Sequence, residues 1–335
     1  MDIDFVVLWV DGNDPAWQAE KRRYEGKTDD GNGAHRYRDW GLMQYWFRAV
    51  EKYAPWVRKV HFVTWGHLPP FLDTGNPKLH IVRHEDYMPR EALPCFNSCA
   101  LEMNLHRIEG LAEHFVYFND DIFLTRPMKP EQFFDPGTGL PRSQFCEMPC
   151  CFEKELRTFN VHMARGIALI NKWFPKREIP WKRYFGTYLN RANPLADNAR
   201  TLILRLIYPG YFSGLRMCHT YFPYRKSVFE TIWEREPEVL MKTTKTRFRG
   251  WEEVNQYFAY MWQLVSGEFS PGHINFLLAS IHEKEIDGIC RAIEQNRYDS
   301  VCLNDSFTDI DFDALAARLD AAFGKILPDK CSFEQ

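Results

Sequence analysis

Short runs of apolar residues, separated by stretches with helical periodicity, organise the first part of the chain. The first run, residues 3–10, is continuously apolar, which is typical of a strand buried on both faces of a sheet. Helical spacing of apolar residues at 42–53 and 100–108 predicts helices between the runs. This alternation predicts an α/β fold with a mostly parallel, Rossmann-type sheet flanked by helices. The predicted strands are residues 3–10, 59–66, 79–87 and 114–123.

The pattern changes before residue 216, where basic and aromatic residues mix and an amphipathic helix is predicted over 199–214. Beyond it, the helical and strand patterns return. We therefore predict one α/β domain formed by residues 1–140 and 216–335, with a helical insertion at 141–215. The elements predicted after the insertion are helices at 227–235, 252–265 and 311–323 and a strand at 300–307.

Composition describes an ordinary globular protein with an excess of aromatic side chains. Aromatic residues make up 16% of the chain, and such an excess is common where sugars or other flat ligands are bound. The net charge of −3 argues against a nucleic-acid partner. Strand-like residues follow Met1 at once, so no secretory signal is expected, and no apolar run is long enough to span a bilayer. We expect a cytoplasmic protein with nine reduced cysteines.

Within the stretch 114–123, residues 116–118 are the predicted buried strand, and two adjacent acids, Asp120 and Asp121, lie where this strand leaves the sheet. Like charges side by side cost free energy unless a cation neutralises them. Hard divalent ions prefer carboxylate oxygens together with phosphate oxygens, so the pair could hold an ion that bridges a diphosphate. A turn is the alternative, because Asn and Asp favour turns. Asn304 and Asp305 also end a predicted strand, and they form either a turn or a second part of the same site.

The loop after the first strand and the basic residues beyond it are candidates for nucleotide contacts. Gly12 is free to adopt a positive φ, and the backbone around it could meet a base and ribose. The alternative is a plain loop in which Asp14 caps the following helix. Arg36 and Arg38 lie near a predicted helix start, where guanidinium and free N–H groups favour a phosphate. A solvated basic face is the alternative.

Three further polar groups each have a structural and a functional interpretation. Glu102 and His106 lie one helical turn apart, and a carboxylate that orients an imidazole is favoured over a pair of metal ligands. His219 stands near Arg225, and by spacing alone a single histidine is more often structural. A basic run, which spacing alone would assign to a solvated surface, contains Lys245, Arg247 and Arg249.

Together these residues fall into four blocks that resemble the Stealth family of sugar-phosphate transferases, which includes bacterial capsule-polymer hexose-1-phosphate transferases. The catalytic subunit of the N-acetylglucosamine-1-phosphotransferase that marks lysosomal enzymes is a distant relative. The first block is IDFVVLWVDGNDP, and the second includes IVRHEDYMP and HFVYFNDDIFL. The third combines CHTYFPYRKSVFETIW with TRFRGWEEVNQYFAYMW, and the fourth is VCLNDS. Asp11 departs from the Asn that is usual in the family, and Glu253 departs from a common Asp.

The resemblance implies a glycosyltransferase-A-like α/β fold and transfer of a hexose 1-phosphate from a UDP-sugar to a sugar hydroxyl. An N-acetylhexosamine 1-phosphate is the favoured group. UMP would leave and a phosphodiester would form, in capsule or surface polysaccharide synthesis. A metal-dependent glycosyltransferase that releases UDP is the alternative. The implied partners are a UDP-N-acetylhexosamine donor and a growing polysaccharide, without nucleic acid; the inner membrane face and a second copy of the chain are further candidates.

The resemblance also assigns roles to residues. His219, Arg249 and Asp121 are the expected catalytic residues, with His219 as the base that takes the proton of the acceptor hydroxyl. Mg²⁺ or Mn²⁺ is the expected cofactor, held by Asp120, Asp121 and Asp305. The expected donor contacts are Asp11, Gly12, Arg38, Arg225 and Asn304.

Residues 171–186 interleave bases with aromatic side chains. Such a stretch could seat a polyanionic acceptor or touch an anionic membrane surface. The alternative is an exposed charged loop whose aromatic side chains turn inward. The residues concerned are Lys172, Trp173, Phe174, Lys176, Arg177, Trp181, Lys182, Arg183 and Tyr184.

Overall fold

A computed structural model describes residues 1–25, 37–150, 157–307 and 309–335. The strands are β1 (Ile3–Leu8), β2 (Val60–Thr64), β3 (Leu79–Arg83), β4 (His114–Phe118), β5 (Ile122–Leu124), β6 (Arg142–Ser143), β7 (Phe222–Arg225), β8 (Ser270–Pro271), β9 (Phe276–Ser280) and β10 (Ser300–Asn304). The helices are α1 (Pro15–Tyr24), α2 (Met43–Tyr53), α3 (His84–Tyr87), α4 (Ser98–Glu102), α5 (Thr158–Trp173), α6 (Trp181–Arg183), α7 (Leu195–Ile207), α8 (Lys226–Arg235), α9 (Pro237–Thr244), α10 (Gln256–Ser266), α11 (Ile286–Glu294) and α12 (Phe312–Ile326).

The central sheet has five strands in the order β3-β2-β1-β4-β7. The first four are parallel, and β7 runs antiparallel to β4. Every residue of β1 is buried, because helices and a second sheet cover its two faces. The predicted α/β class with a mostly parallel sheet is therefore confirmed. The carboxyl ends of β1, β2 and β4 lie at one edge, where ligands bind in sheets of this kind.

The predicted strand at 114–123 is two strands in different sheets. The central strand β4 ends at Phe118, and the chain turns through the next three residues. The following strand, β5, pairs antiparallel with β10, which pairs in parallel with β9. The turn therefore joins the two sheets, and it contains Asp120 and Asp121.

Other predicted boundaries shift for local reasons. The third strand ends at Arg83 rather than at 87, because Asp86 accepts a hydrogen bond from the Arg83 N–H and starts α3. The helix predicted at 100–108 is the short α4 followed by a 3₁₀ turn at Leu105–Arg107. The helix predicted from 252 begins at Gln256, capped by the side chain of Asn255.

Two hydrophobic clusters cover the two faces of the central sheet. Alternate residues of β1 enter them: Phe5 and Val7 join one cluster, and Val6 and Leu8 join the other. The first cluster also contains α2, α12 and the second sheet, and the second contains α8 and α10.

The insertion packs into the second cluster rather than apart from it. Met163 and Ile167 of α5 and Tyr188 lie in that cluster with residues of α10. A short parallel pairing of β6 with β8 adds another link to the C-terminal part. The described part of the insertion is mainly helical. That residues 171–186 of the insertion seat an acceptor stays a prediction. Among the described helices, none is both long and apolar enough to cross a membrane.

Candidate active site

The acid pair lies just beyond the end of β4, at the carboxyl edge of the central sheet, and we call the surface around Asp120, Asp121, His219 and Asp305 the cleft. Asp120 is accessible to water, although protein surrounds it on most sides. Removal from bulk water, followed by the negative charges of Asp121 and Asp39, raises the pKa of Asp120 to about 8. We give most weight to the neighbouring charges, because the side chain is exposed. Among the described residues, no basic side chain forms an ion pair with Asp120.

The second acidic segment lies beside the first. The N–H of Leu303 donates to the Asp121 carbonyl at 2.8 Å, so Asn304, the last residue of β10, and Asp305 after it lie next to the acid pair. Asp305 Oδ2 accepts a hydrogen bond from Trp40 Nε1 at 3.2 Å and lies 3.4 Å from Arg38 Nη1. The structure thus brings together two segments that are far apart in sequence.

Arg38 does not lie at a helix start. The helix α2 begins at Met43, so Arg38 belongs to the loop before it. Its guanidinium lies over the Phe312 ring at 5.2 Å, beside Asp305. The helix N-terminus therefore cannot contribute to a phosphate site at Arg38. Arg36 lies outside the described residues.

Asp39 is a member of this acidic cluster that the sequence did not indicate. Burial and the charge of Asp11 raise the pKa of Asp39, and Asp39 in turn raises the pKa of Asp120. Asp39 therefore lies within electrostatic range of acids from two strand ends. In the sequence it is a single acid inside a basic and aromatic stretch, with no pattern that marks it.

The loop after β1 is held in place by a histidine and by close packing. The Asp11 N–H donates to His67 Nε2 at 2.8 Å, which requires a neutral ring; burial lowers the pKa of His67 accordingly. Gly12 does not use a positive φ, contrary to the expectation. It is needed because a Cβ there would lie 1.9 Å from the Tyr37 carbonyl oxygen. The expected cap is confirmed: Asp14 accepts from the Trp17 N–H at 2.7 Å.

A recess of about 410 Å³ opens beside this loop, and Gly12, Trp17, Lys21, Tyr37 and Arg38 line part of it. It therefore adjoins the predicted donor contacts. A second recess, of about 380 Å³, lies at the opposite edge of the sheet. None of the predicted site residues lines that second recess, which is bounded by Glu51, Asp73, Lys78 and Ser332 among others.

His219 lies in the loop just before β7 and faces Asp121 of the acid pair. Its Nδ1 lies 2.5 Å from the hydroxyl of Tyr257, and its Nε2 lies 3.8 Å from Asp121 Oδ2. Burial lowers the pKa of His219, but the proximity of Asp121 outweighs this, so the pKa lies above its usual value. Tyr257, which the sequence did not mark as a site residue, holds one nitrogen and leaves the other facing the cleft.

Cys302 of β10 completes a group around Asp121. Its Sγ lies 3.4 Å from Asp121 Oδ2, and ligand atoms of Asp121, His219 and Cys302 all lie within 4.8 Å of one another. Burial and the charge of Asp121 raise the pKa of Cys302 well above its usual value. The Cys302 side chain is therefore a neutral thiol that donates a hydrogen bond to the Asp121 carboxylate.

Arg249 lies on the far side of a buried carboxylate from His219. Its Nη2 donates to Ser98 Oγ at 2.6 Å. Burial lowers the pKa of Arg249, but Cys99 and Glu102 outweigh it, so the guanidinium is charged. Glu102 interacts electrostatically with both Arg249 and His219.

The loop that carries Arg249 is braced by the insertion. Glu253 Oε1 accepts from the Gly250 N–H at 2.7 Å. His162 of α5 places Nε2 2.8 Å from the Gly250 carbonyl and 3.2 Å from Glu253 Oε2. No sequence pattern pairs His162 with Gly250 and Glu253, because these residues are far apart along the chain.

The expected pairing of Glu102 with His106 is wrong. Glu102 does not orient His106; it accepts from the Tyr117 hydroxyl and the Gln256 N–H, both at 3.2 Å. The His106 ring instead packs near Phe229 and Trp233, because a 3₁₀ turn replaces the expected helix.

Arg225 is not brought to the cleft. It lies opposite His114, the first residue of β4, because β7 runs antiparallel and carries it to the amino edge of the sheet. There it forms an ion pair with Glu268. Of the predicted site residues, the structure brings together Asp11, Gly12, Arg38, Asp120, Asp121, His219, Asn304 and Asp305 at one edge, with Arg249 nearby.

Comparison with known proteins adds family evidence. Conserved region 1 of the Stealth proteins matches residues 1–29, and conserved region 2 matches residues 36–141. The receptor polysaccharide phosphotransferase WefC of Streptococcus oralis is 35% identical over 338 residues, which cover 99% of each chain. A capsular polysaccharide phosphotransferase, WcwK, of Streptococcus pneumoniae is 36% identical over 99% of this chain and 98% of its own.

A third relative and a solved structure complete the comparison. The exopolysaccharide phosphotransferase cps2G of Lactiplantibacillus plantarum is 37% identical over 100% of this chain and 96% of its own. Among solved structures, the galactosyltransferase LgtC in complex with donor and acceptor sugar analogues has a TM-score of 0.38 and 10% identity. That match covers 94% of this chain and 95% of LgtC.

Proposed function

The chain belongs to the Stealth family of polysaccharide phosphotransferases, and on that premise we propose that it transfers a hexose 1-phosphate from a UDP-sugar to a sugar hydroxyl. The products are UMP and a phosphodiester in a capsule or surface polysaccharide. An N-acetylhexosamine is the proposed sugar. The relatives' names supply the reaction class, and the cleft at the carboxyl edge supplies residues of the required chemistry.

One observation carries the proposal: a carboxylate with an unsatisfied oxygen stands beside an oriented imidazole. Asp121 Oδ1 is buried and, within the described ranges, has no hydrogen-bond partner. Its Oδ2 faces His219 Nε2, whose opposite ring nitrogen is held by Tyr257. A buried oxygen without a partner costs free energy, so this arrangement favours a ligand that supplies the missing interaction.

The residues of the cleft fit a hard divalent cation. Asp120, Asp121 and Asp305 would hold Mg²⁺ or Mn²⁺ through carboxylate oxygens, which such ions prefer. When bound, the ion would neutralise the charge of the donor diphosphate. Cys302 keeps its proton and donates to Asp121, so it contributes a hydrogen bond rather than a soft thiolate ligand. Asp39 adds negative potential behind Asp120.

His219 is the proposed base. Its raised pKa makes it a stronger proton acceptor, and Tyr257 fixes the ring so that Nε2 faces the cleft. Nε2 takes the proton of the acceptor hydroxyl as its oxygen attacks the phosphorus that bears the sugar. The bond between the two phosphates breaks, and UMP leaves with the electron pair.

Two arginines stabilise the phosphates in this scheme. Arg249, charged and half-buried, holds oxygens of the transferred phosphoryl group. Arg38 lies beside Asp305 at the mouth of the recess bounded by Gly12 and Tyr37. We place the nucleotide there, against the loop that contains Asp11. Asn304 lies at the same edge, and its Nδ2 donates to Ser306 Oγ.

The products decide between this reaction and glycosyl transfer. The protein is incubated with UDP-N-acetylglucosamine, Mg²⁺ and an oligosaccharide of the capsule, and the nucleotides are separated. The proposal expects UMP together with a new phosphodiester resonance in the phosphorus NMR spectrum of the polymer. Stoichiometric UDP and a polymer without phosphorus would show a glycosyltransferase instead, since attack at the anomeric carbon expels UDP.

A further inference from the structure

The helix α7 exposes most of its large apolar side chains and, apart from Leu204, buries polar ones. Its buried positions include Asp197, Thr201 and Arg205, whereas Leu195 and Ile207 are 87% and 61% exposed. An amphipathic helix of a globular protein ordinarily turns its apolar stripe to the core. The sequence correctly predicts an amphipathic helix, but its apolar face points to solvent and its polar face points to the protein interior.

Ion pairs and hydrogen bonds fix this reversed orientation. Asp197 pairs with Arg216 at 2.5 Å. Arg205 donates to the Lys176 carbonyl at 2.5 Å and to the Ile179 carbonyl at 3.3 Å. Rolling the helix to bury its aliphatic side would break all these contacts and leave buried charges unpaired, which is strongly unfavourable. The outward aliphatic face is therefore a stable feature of the fold.

Further exposed aromatic side chains lie on the segments that pack beside α7. Arg205 lies 5.1 Å from the Trp181 ring, and Trp181 stacks on Phe185 at 5.7 Å. Beyond the end of α7, Tyr208 and Tyr211 pack together at 5.6 Å. We call this surface the apolar patch, formed by Trp181, Phe185, Ile203, Leu206, Ile207 and Tyr208, which are between 40% and 65% exposed.

The patch is the main concentration of exposed apolar side chains in the described part of the chain. Nine of the fourteen large hydrophobic side chains found exposed there lie between Phe159 and Tyr211. Scattered exposed apolar residues need no explanation, but a contiguous group marks a surface that something covers.

The charge of the residues around the apolar patch indicates what kind of partner covers the patch. Residues 172–211 contain eight basic and two acidic side chains, a net charge of +6 in a chain whose net charge is −3. Of the basic residues, Lys176 and Arg205 are buried and Lys172 pairs with Glu236, so the exposed positive charge comes mainly from Arg177, Lys182 and Arg191. Of the two acids, Asp197 is buried in ion pairs. A second copy of the chain docked face to face would bring two positive surfaces together.

We propose that the apolar patch docks on a membrane surface that contains anionic lipid. Aliphatic side chains of α7 enter the boundary between headgroups and acyl chains, and Trp181, Tyr208 and Tyr211 lie at headgroup level. The surrounding lysines and arginines bind the negative surface. This inference does not depend on the reaction proposed for the cleft, because none of the cleft residues belongs to the patch.

Flotation of the purified protein with vesicles tests the proposal. One set of vesicles contains phosphatidylcholine alone, and the other also contains phosphatidylglycerol. The protein should float with the anionic vesicles, far less with the neutral ones, and less again at high salt, since salt screens exposed charges. A protein that stays at the bottom with both sets would overturn the proposal.

Matched substitutions locate the surface. Ile207→Glu and Lys182→Glu should each weaken binding to anionic vesicles by roughly tenfold. Leu278→Glu and Lys284→Glu introduce the same charges at exposed positions outside the patch, and both should float like the wild type. Circular dichroism and melting curves verify that all four variants fold.

Two results would contradict the membrane as the partner. If Ile207→Glu floats as well as the wild type, the patch does not meet the lipid. If sedimentation velocity shows a wild-type dimer that Ile207→Glu converts to a monomer, without flotation of either protein, the patch is an interface between copies.

Discussion

Asp4 and Asp120 lie at opposite ends of neighbouring strands in the central sheet, and their surroundings differ in kind. Asp4, fully buried in β1, accepts hydrogen bonds from Arg58 Nε at 2.8 Å and from the Ala112 N–H at 2.8 Å, and His61 Nε2 lies 3.0 Å away. Burial raises the pKa of Asp4, but these partners, with His61 first, outweigh it and lower the pKa.

Asp120 has the opposite environment. Beyond the carboxyl end of β4 its near neighbours include Asp121 and Asp39, and its pKa rises to about 8. The amino edge of the sheet therefore neutralises its acid with the protein's own cations. The carboxyl edge concentrates acids that a cation from outside would neutralise. Asp4 is therefore a structural charge, whereas the acids around Asp120 have the character of a ligand site.

The strongest test of this contrast is Asp121→Asn. We expect turnover to fall by roughly 10³–10⁵-fold, the scale on which charge-neutralising groups act in phosphoryl transfer. The melting temperature in EDTA should stay the same or rise, because a buried charge near another acid is removed. Product assays and melting curves on one preparation measure both. An inactive variant that is also strongly destabilised would make Asp121 a structural acid.

The second-largest effect is expected from removing the imidazole of His219, which lies beside the acids. His219→Ala should lower kcat by roughly 10²–10⁴-fold, the usual contribution of a general base, with little change in donor affinity. Tyr257→Phe, which removes the hydroxyl that holds Nδ1, should lower kcat less. Equal rates for wild type and His219→Ala across neutral and alkaline pH would leave His219 without a role in proton transfer.

At the amino edge, Asp4→Asn should reduce the free energy of unfolding by about 3 kcal/mol, since Arg58 then loses a buried partner. The rate per folded molecule should not change. The pH dependence has a definite sign. The pKa of Asp4 is below its usual 3.8 in the folded state, so its stabilisation is complete above that value and is lost as the pH falls through the folded-state pKa.

Denaturant titrations of wild type and Asp4→Asn should therefore differ at neutral pH and converge in acid. A gap between the two proteins that is constant at every pH would show that the carboxylate charge contributes nothing.

The smallest expected effect belongs to Asp39→Asn. Removing this acid relieves repulsion on Asp120, so the stability in EDTA should rise by about 0.5 kcal/mol. With Mg²⁺ present, donor binding should weaken, because the cleft has lost negative potential. A loss of stability in EDTA would mean that Asp39 is held by favourable contacts and does not belong with the uncompensated acids.

The sequence predicted the elements whose patterns are local. The continuous apolar run of β1 and the helical stripe of α2 identified both elements to within two residues at each boundary. The end of the fourth strand before Asp120 and Asp121 was also predicted, but the separate strand β5 after these acids was not, because only tertiary pairing distinguishes β5 from a continuation of β4.

The site was predicted where adjacent residues share one role, and missed where folding brings distant ones together. Asp120 and Asp121 are visible as a pair, whereas Asp39 and Tyr257 have no local pattern. Arg225 was expected to contact the donor because of the family resemblance, but an antiparallel strand takes it to the other edge. The reversed face of α7 depends on Asp197 and Arg205 finding partners, which periodicity does not encode.

The central claim is that the acids at the carboxyl edge hold a cation that holds a nucleotide. Isothermal calorimetry of UDP binding, with Mg²⁺ and with EDTA, tests it most directly in wild type, Asp121→Asn and, as a folded control, Asp4→Asn. We predict Mg²⁺-dependent binding in the wild type and in Asp4→Asn, and in Asp121→Asn no gain in affinity from Mg²⁺. The same Mg²⁺-dependent affinity in all three proteins would contradict the claim.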